Sequence, residues 1–118
     1  GTVLNPDMYR DFTKYYEENN MFPVENMIFI GLYGSEDGKI NAYTYGMEAF
    51  GKKEMEIISS SQSPEDVYYF LQGVADYVIT SDVILQDGET IGFSAEQKIP
   101  ISQSKGIAVN AVTLKLGY

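Results

Sequence analysis

Several reactive side chains are missing from this sequence, which contains no cysteine, histidine or tryptophan among its 118 residues. Without cysteine there is no disulfide and no thiol nucleophile. Without histidine there is no imidazole base, no Ser-His-Asp triad and no zinc site of the Cys/His type. Any catalysis by this chain would therefore depend on carboxylates, hydroxyls and amines.

Cationic residues are also scarce. Lys and Arg number 8 against 17 Asp and Glu, which gives a formal net charge of −9. Nucleic acids and anionic membranes are bound through cationic contacts, so neither is expected as a partner. No segment approaches the roughly 20 apolar residues of a membrane helix. The first 20 residues lack the basic start and apolar run of a signal peptide.

The residues that are present suit a folded protein. Hydrophobic residues make up 44% of the chain and aromatic residues 14%, as in globular domains. The length predicts a single domain over residues 1–118. Gly1 stands where an initiating methionine would be expected, so we interpret the chain as a C-terminal fragment of a longer protein, with residues 1–20 as a helix that could link to an upstream domain.

Two segments have the spacing and start signals of helices. The first begins at Asn5-Pro6-Asp7 and ends near Asn20. The second begins at Ser63-Pro64, where Ser suits the N-cap and Pro the first helical position. Its apolar residues recur at helical spacing and predict a stripe that packs on a sheet: Val67, Phe70, Leu71, Val74, Ala75, Val78 and Ile79.

The remaining apolar segments predict strands. Met27–Tyr33 is a continuous apolar run, typical of a central strand that is buried on both faces. Asp37-Gly38 and Asp87-Gly88 are hairpin turn signals. The other predicted strands are Lys39–Tyr45, Glu54–Ile58, Thr90–Phe93, Lys98–Ile101 and Ile107–Leu116. This order predicts an α+β fold: a two-layer sandwich with a mainly antiparallel sheet and two helices on one face.

Glu54 and Glu56 are the strongest candidates for catalytic carboxylates. Two positions apart on a strand, they share a face at a separation of roughly 7 Å. Such a pair could serve glycoside hydrolysis or hold a hard cation such as calcium or magnesium. The alternative, which the sequence favours, places both on the solvent face of an amphipathic strand with Lys52 and Lys53 as counter-charges.

Other polar motifs are better explained by turns and caps. Ser35–Lys39 contains acids around a glycine but lacks the full calcium-loop pattern, so a hairpin turn is favoured. Gly31-x-x-Gly34 matches no phosphate-binding loop. Ser59–Ser63 is dense in hydroxyls but is interpreted as the loop and cap before the second helix. No metal or cofactor is therefore expected.

Tyrosine is abundant, with 10 Tyr against 6 Phe. Its ring packs while its hydroxyl stays in water, which suits contact surfaces. Tyr43 and Tyr45 share a strand face, and Tyr69 lies on the polar side of the second helix beside Asp76. These four residues form the candidate partner surface. The alternative is that most tyrosines fill the rim of a small core.

Part of the sequence resembles a known family. The segments that carry the resemblance are Phe50-Gly51-Lys52, Ser63–Tyr68, Asp87–Phe93 and Glu96–Pro100. They are similar to a bacterial family numbered 4261 among the domains of unknown function, over roughly residues 43–118. The resemblance implies a bacterial, cytoplasmic protein whose matching segment lies at the C-terminal end of a longer chain. It supplies no catalytic residues.

Three functions from different classes remain open. The favoured one is a non-enzymatic interaction module for a protein partner, with a basic partner attracted by the negative charge. An immunity-type protein that caps a basic toxin would be one form of it. The second is a carboxylate-based hydrolase or metal-dependent enzyme. The third is a structural module that forms homo-oligomers, through the first helix or an edge strand near Lys98–Ser102.

Overall fold

A computed structural model describes residues 2–3, 17–18, 27–106 and 112–118. Within these residues one α-helix has defined bounds, α1 (Pro64–Thr80), and a short 3₁₀ helix spans Met47–Phe50. The described strands are β1 (Thr2–Val3), β2 (Phe29–Gly34), β3 (Ile40–Tyr45), β4 (Met55–Ser60), β5 (Thr90–Gly92), β6 (Ile99–Ser104) and β7 (Thr113–Leu116).

The described strands form one mixed sheet in the order β1-β5-β6-β7-β4-β3-β2. The neighbouring pairs β2–β3, β3–β4, β5–β6 and β6–β7 are antiparallel. The pairs β1–β5 and β4–β7 are parallel. The predicted mainly antiparallel sandwich with two helices on one face is therefore wrong, although the fold is still α+β in the broad sense.

The parallel pair β4–β7 explains the error. Short connections predict antiparallel pairing of strands that follow each other in the chain. Here α1, β5 and β6 intervene before β7 returns to lie beside β4, where Met55 is aligned with Leu114. The sequence pattern carries no signal for such a distant pairing. The predicted first helix lies outside the described residues, apart from Glu17 and Glu18, which are helical and exposed.

Helix α1 begins where its start signal predicts. Ser63 Oγ accepts a hydrogen bond from the Asp66 N–H at 3.1 Å, and Pro64 occupies the first helical position. The predicted apolar stripe is buried in full. It packs on β2, β3 and β4, so that the core lies between this helix and one face of the sheet.

Strand β2 lies at the end of the described sheet, beside β3. The prediction of a central strand buried on both faces is therefore wrong. Phe29, Leu32 and Tyr33 are all exposed, so the two faces of this strand are not both covered. The predicted edge near Lys98–Ser102 is wrong as well, since β6 lies between β5 and β7.

Candidate interaction surface

Glu54 lies immediately before β4 and is only 3% exposed. Its carboxylate accepts hydrogen bonds from Thr44 Oγ1 at 3.0 Å and from the N–H groups of Gly46 at 3.1 Å and Met47 at 3.0 Å. These amides open the 3₁₀ helix, whose N-terminal end favours negative charge. The carboxylate thus holds the β3–β4 connection in place.

Glu56 is also buried, at 1% exposure, and accepts a hydrogen bond from Ser104 Oγ. The Ser104 hydroxyl in turn lies 2.8 Å from that of Thr113. The predicted exposed position of Glu54 and Glu56 is therefore wrong. The two carboxylates have different partners, and each is used within the fold.

The neighbouring lysines do not pair with these glutamates in the described structure. Lys52 Nζ instead lies 2.7 Å from Asp82 Oδ1, and this hydrogen bond holds the pKa of Asp82 below its usual value. Lys53 is exposed. Among the described residues, no three acidic, histidine or cysteine side chains come together as a metal site.

The segment Ser35–Lys39 is a hairpin turn between β2 and β3, as predicted. Asp37 Oδ1 accepts hydrogen bonds from Ser35 Oγ and, at 3.1 Å, from the Lys39 N–H. Both bonds favour the ionised carboxylate and lower the pKa of Asp37, the Ser35 bond most strongly. The turn fixes which residues of β2 and β3 face each other.

That register brings four aromatic residues to one face of the sheet. Phe29 is aligned with Tyr45, Gly31 with Tyr43, and Tyr33 with Asn41. Side chains alternate along a strand, and Ala42 faces the core beneath α1. The set Phe29, Tyr33, Tyr43 and Tyr45, here called the aromatic face, therefore lies on the side of the sheet opposite α1.

Three of the four residues of the aromatic face are exposed. Phe29 is 58% exposed, Tyr45 61% and Tyr33 46%. Tyr43 is half-buried because its ring lies across Gly31, which has no side chain to displace it. The Phe29 and Tyr43 rings are 6.1 Å apart between centroids. Exposed aromatic side chains that lie next to one another on one face are typical of an interaction site.

The predicted partner surface is only partly a single surface. Tyr43 and Tyr45 lie together, whereas Tyr69, 68% exposed, lies on α1 at the other side of the sheet. Asp76 is 8% exposed and so contributes little to any surface. Phe29 and Tyr33 were missed, although counting outward from the Asp37-Gly38 turn would have placed Phe29 opposite Tyr45.

Comparison with known proteins identifies the family. Residues 43–117 match the family described as "Domain of unknown function (DUF4261)". The chain belongs to this family, which confirms the resemblance carried by its second half. No curated protein and no solved structure gives a match. Within the described residues, no helix combines the length and apolar character needed to cross a membrane.

Proposed function

We propose that this domain is a non-enzymatic protein-interaction module that binds its partner through the aromatic face. One observation carries the proposal: Phe29 and Tyr45 are aligned across β2 and β3, and both are more than half exposed. Large aromatic rings supply much of the binding energy at protein interfaces. A partner that covers these two neighbouring rings would remove a large apolar area from water.

The position of β2 supports binding of an extended segment. β2 ends the described sheet, and its pairing with β3 is regular over all six residues. Phe29–Gly34 contains no lysine and no proline, the residues that commonly protect an edge strand. A partner strand could hydrogen-bond to the backbone of β2 while its side chains contact Phe29 and Tyr33.

Charge supports a basic partner. The chain carries a net charge of −9, and Glu36 and Asp37 are exposed in the turn that follows β2. A segment rich in lysine or arginine would be attracted to this end of the strand. We therefore propose a basic extended segment as the partner. We also propose the cytoplasmic location that the family resemblance implies.

The burial of Glu54 and Glu56 does not favour the hydrolase alternative. Glu54 accepts its hydrogen bonds from the β3–β4 connection, and Glu56 accepts one from Ser104.

A second copy of the chain could also occupy the edge of β2. In that case the domain would dimerise, and the dimer would become stronger at high salt because salt screens the repulsion between two negatively charged copies.

The test is capture of partners from the native host's lysate by the wild-type domain and by a Phe29→Ser/Tyr45→Ser double variant. Tyr69→Ser, which removes a ring of comparable exposure from α1, is the matched control. We expect one stoichiometric partner that the wild type and Tyr69→Ser retain and the double variant loses. Loss of the partner at high salt would show that the acidic charge of the domain contributes to binding.

A partner retained by the double variant would contradict the use of the aromatic face. Sedimentation of the purified domain at low and high salt distinguishes self-association from binding of a basic partner. A dimer that strengthens with salt and is abolished by the double variant would assign the surface to a second copy instead of a basic partner.

A further inference from the structure

A cleft of about 190 Å³ lies at the C-terminal end of α1, away from the aromatic face. Its lining is apolar: Met55 of β4, Val78 of α1 and Leu114 of β7 contribute, together with Leu85 of the segment that follows the helix. These four side chains are buried parts of the hydrophobic core. The cleft therefore gives a ligand direct access to apolar core surface.

The mouth of the cleft combines an exposed apolar side chain with positive charge. Ile84 lines the cleft and is 72% exposed. Lys52 and Lys53 also line the cleft. The whole sequence has only 8 Lys and Arg residues, so two consecutive lysines here form a local exception to its acidic character.

The two lysines have different roles. The Lys52 amine is held 2.7 Å from Asp82 Oδ1, and the Lys52 side chain is only 10% exposed. Asp82 thus neutralises Lys52 and would repel an anion on that side. Lys53 is exposed and has no carboxylate partner within the described part of the chain. The unneutralised positive charge at the mouth is therefore that of Lys53.

We propose that this cleft is a binding site for a short aliphatic carboxylate, whose chain enters the apolar cleft and whose carboxylate pairs with Lys53. An apolar lining with a few polar groups at one end is the usual arrangement of small-molecule sites. The volume is below the roughly 300 Å³ of typical drug-sized pockets, which selects a small ligand. The proposal does not depend on the interaction-module function.

The first experiment is a titration of the domain with butanoate, hexanoate and octanoate, and with the primary alcohols of the same lengths. The readout is the NMR shift of the methyl groups of Val78, Leu85 and Leu114. We expect each added methylene to tighten binding by about fourfold while it is still buried. Affinity then levels off when the chain outgrows the cleft. The alcohols bind more weakly than the carboxylates.

Three variants locate the site. Lys53→Gln removes the proposed counter-charge and should weaken carboxylate binding by about threefold to fivefold. Lys98→Gln, at another exposed lysine that does not line the cleft, should leave the affinity unchanged. Ile84→Ser removes apolar surface from the mouth and should weaken carboxylates and alcohols alike. Exposed side chains make all three changes compatible with folding.

Several results would overturn the proposal. If the alcohols bind as tightly as the carboxylates, Lys53 does not contribute to binding. Affinity that keeps rising with chain length, or shifts that appear on the aromatic face, would indicate unspecific adsorption. The Phe29→Ser/Tyr45→Ser variant should bind octanoate normally, so a failure of the interaction-module proposal leaves this result unaffected.

Discussion

The ring of Tyr118 lies flat on the ring of Phe70, with centroids 4.1 Å apart and planes only 6° apart. The other side chain in this group, Phe93, meets Phe70 edge-on at 5.2 Å. Tyr118 is further tied to β4, because its carbonyl oxygen accepts a hydrogen bond from Ser60 Oγ at 3.2 Å. This stack joins the segment after β7 to the first turns of α1.

Replacing Tyr118 by alanine should lower the free energy of unfolding by about 2 kcal/mol, because it removes the stacked ring and exposes Phe70. Tyr118→Phe keeps the ring and is the control, with an expected change below about 0.5 kcal/mol. Urea unfolding followed by far-UV circular dichroism measures both. Equal losses in the two variants would mean that the hydroxyl, and not the stack, matters.

The same residue should make stability fall at alkaline pH. Burial, and then the negative charge of Asp66, raises the pKa of Tyr118 above its usual 10.0. The folded state therefore favours the neutral phenol. This contribution is fully present below the unfolded pKa of about 10 and is lost as pH rises through the folded pKa. Urea unfolding between about pH 8 and pH 11 should show a smaller decline for Tyr118→Phe than for the wild type. Equal declines in the free energy of unfolding of the two proteins would contradict a contribution from the ionisation of Tyr118.

Glu54→Gln should lower the free energy of unfolding by about 2 kcal/mol. One carboxylate oxygen accepts from Thr44 and Met47 and the other from Gly46. Glutamine keeps only one accepting oxygen, so in either orientation its amide nitrogen takes the place of an acceptor and faces an N–H donor. Thermal unfolding at neutral pH measures the loss. Glu96→Gln, at an exposed position, is the matched control and should be neutral. A neutral Glu54→Gln would show that the buried carboxylate is not needed for this connection.

Gly92→Ala should also be destabilising, by about 2 kcal/mol. A Cβ at this position would overlap the carbonyl group of Gln97, which is backbone and cannot simply rotate away. Gly34→Ala is the control, since the nearest atom to its added Cβ is 3.9 Å away. Similar melting temperatures for the two variants would mean that the segment after β5 moves without cost.

The parts of the fold that the sequence predicted are those set by neighbouring residues. Ser63 and Pro64 identified the start of α1, and the spacing of its apolar residues identified the buried stripe. The Asp37-Gly38 turn predicted the β2–β3 hairpin. The edge position of β2 and the parallel pairing of β7 with β4 depend on contacts between distant segments, which no local pattern specifies.

The candidate residues show the same division. Alternation along β3 correctly placed Tyr43 and Tyr45 on one face. Periodicity placed Asp76 on the polar side of α1, but it is buried, because periodicity gives a direction around a helix and not what packs there. For Glu54 and Glu56, the strand pattern likewise did not indicate which neighbouring residues would bury them.

The central position of β7 has a consequence for the order in which this protein can fold during synthesis. β7 pairs with β6 on one side and with β4 on the other, and it is the strand that joins β2-β3-β4 to β1-β5-β6. Until the ribosome has released this segment, the two halves of the described sheet cannot be joined through β7. The β2-β3-β4 meander and α1 can assemble early, since their contacts are local. Completion of the sheet waits for residues 113–116, so a stalled or shortened chain would expose the open sides of β4 and β6 to aggregation.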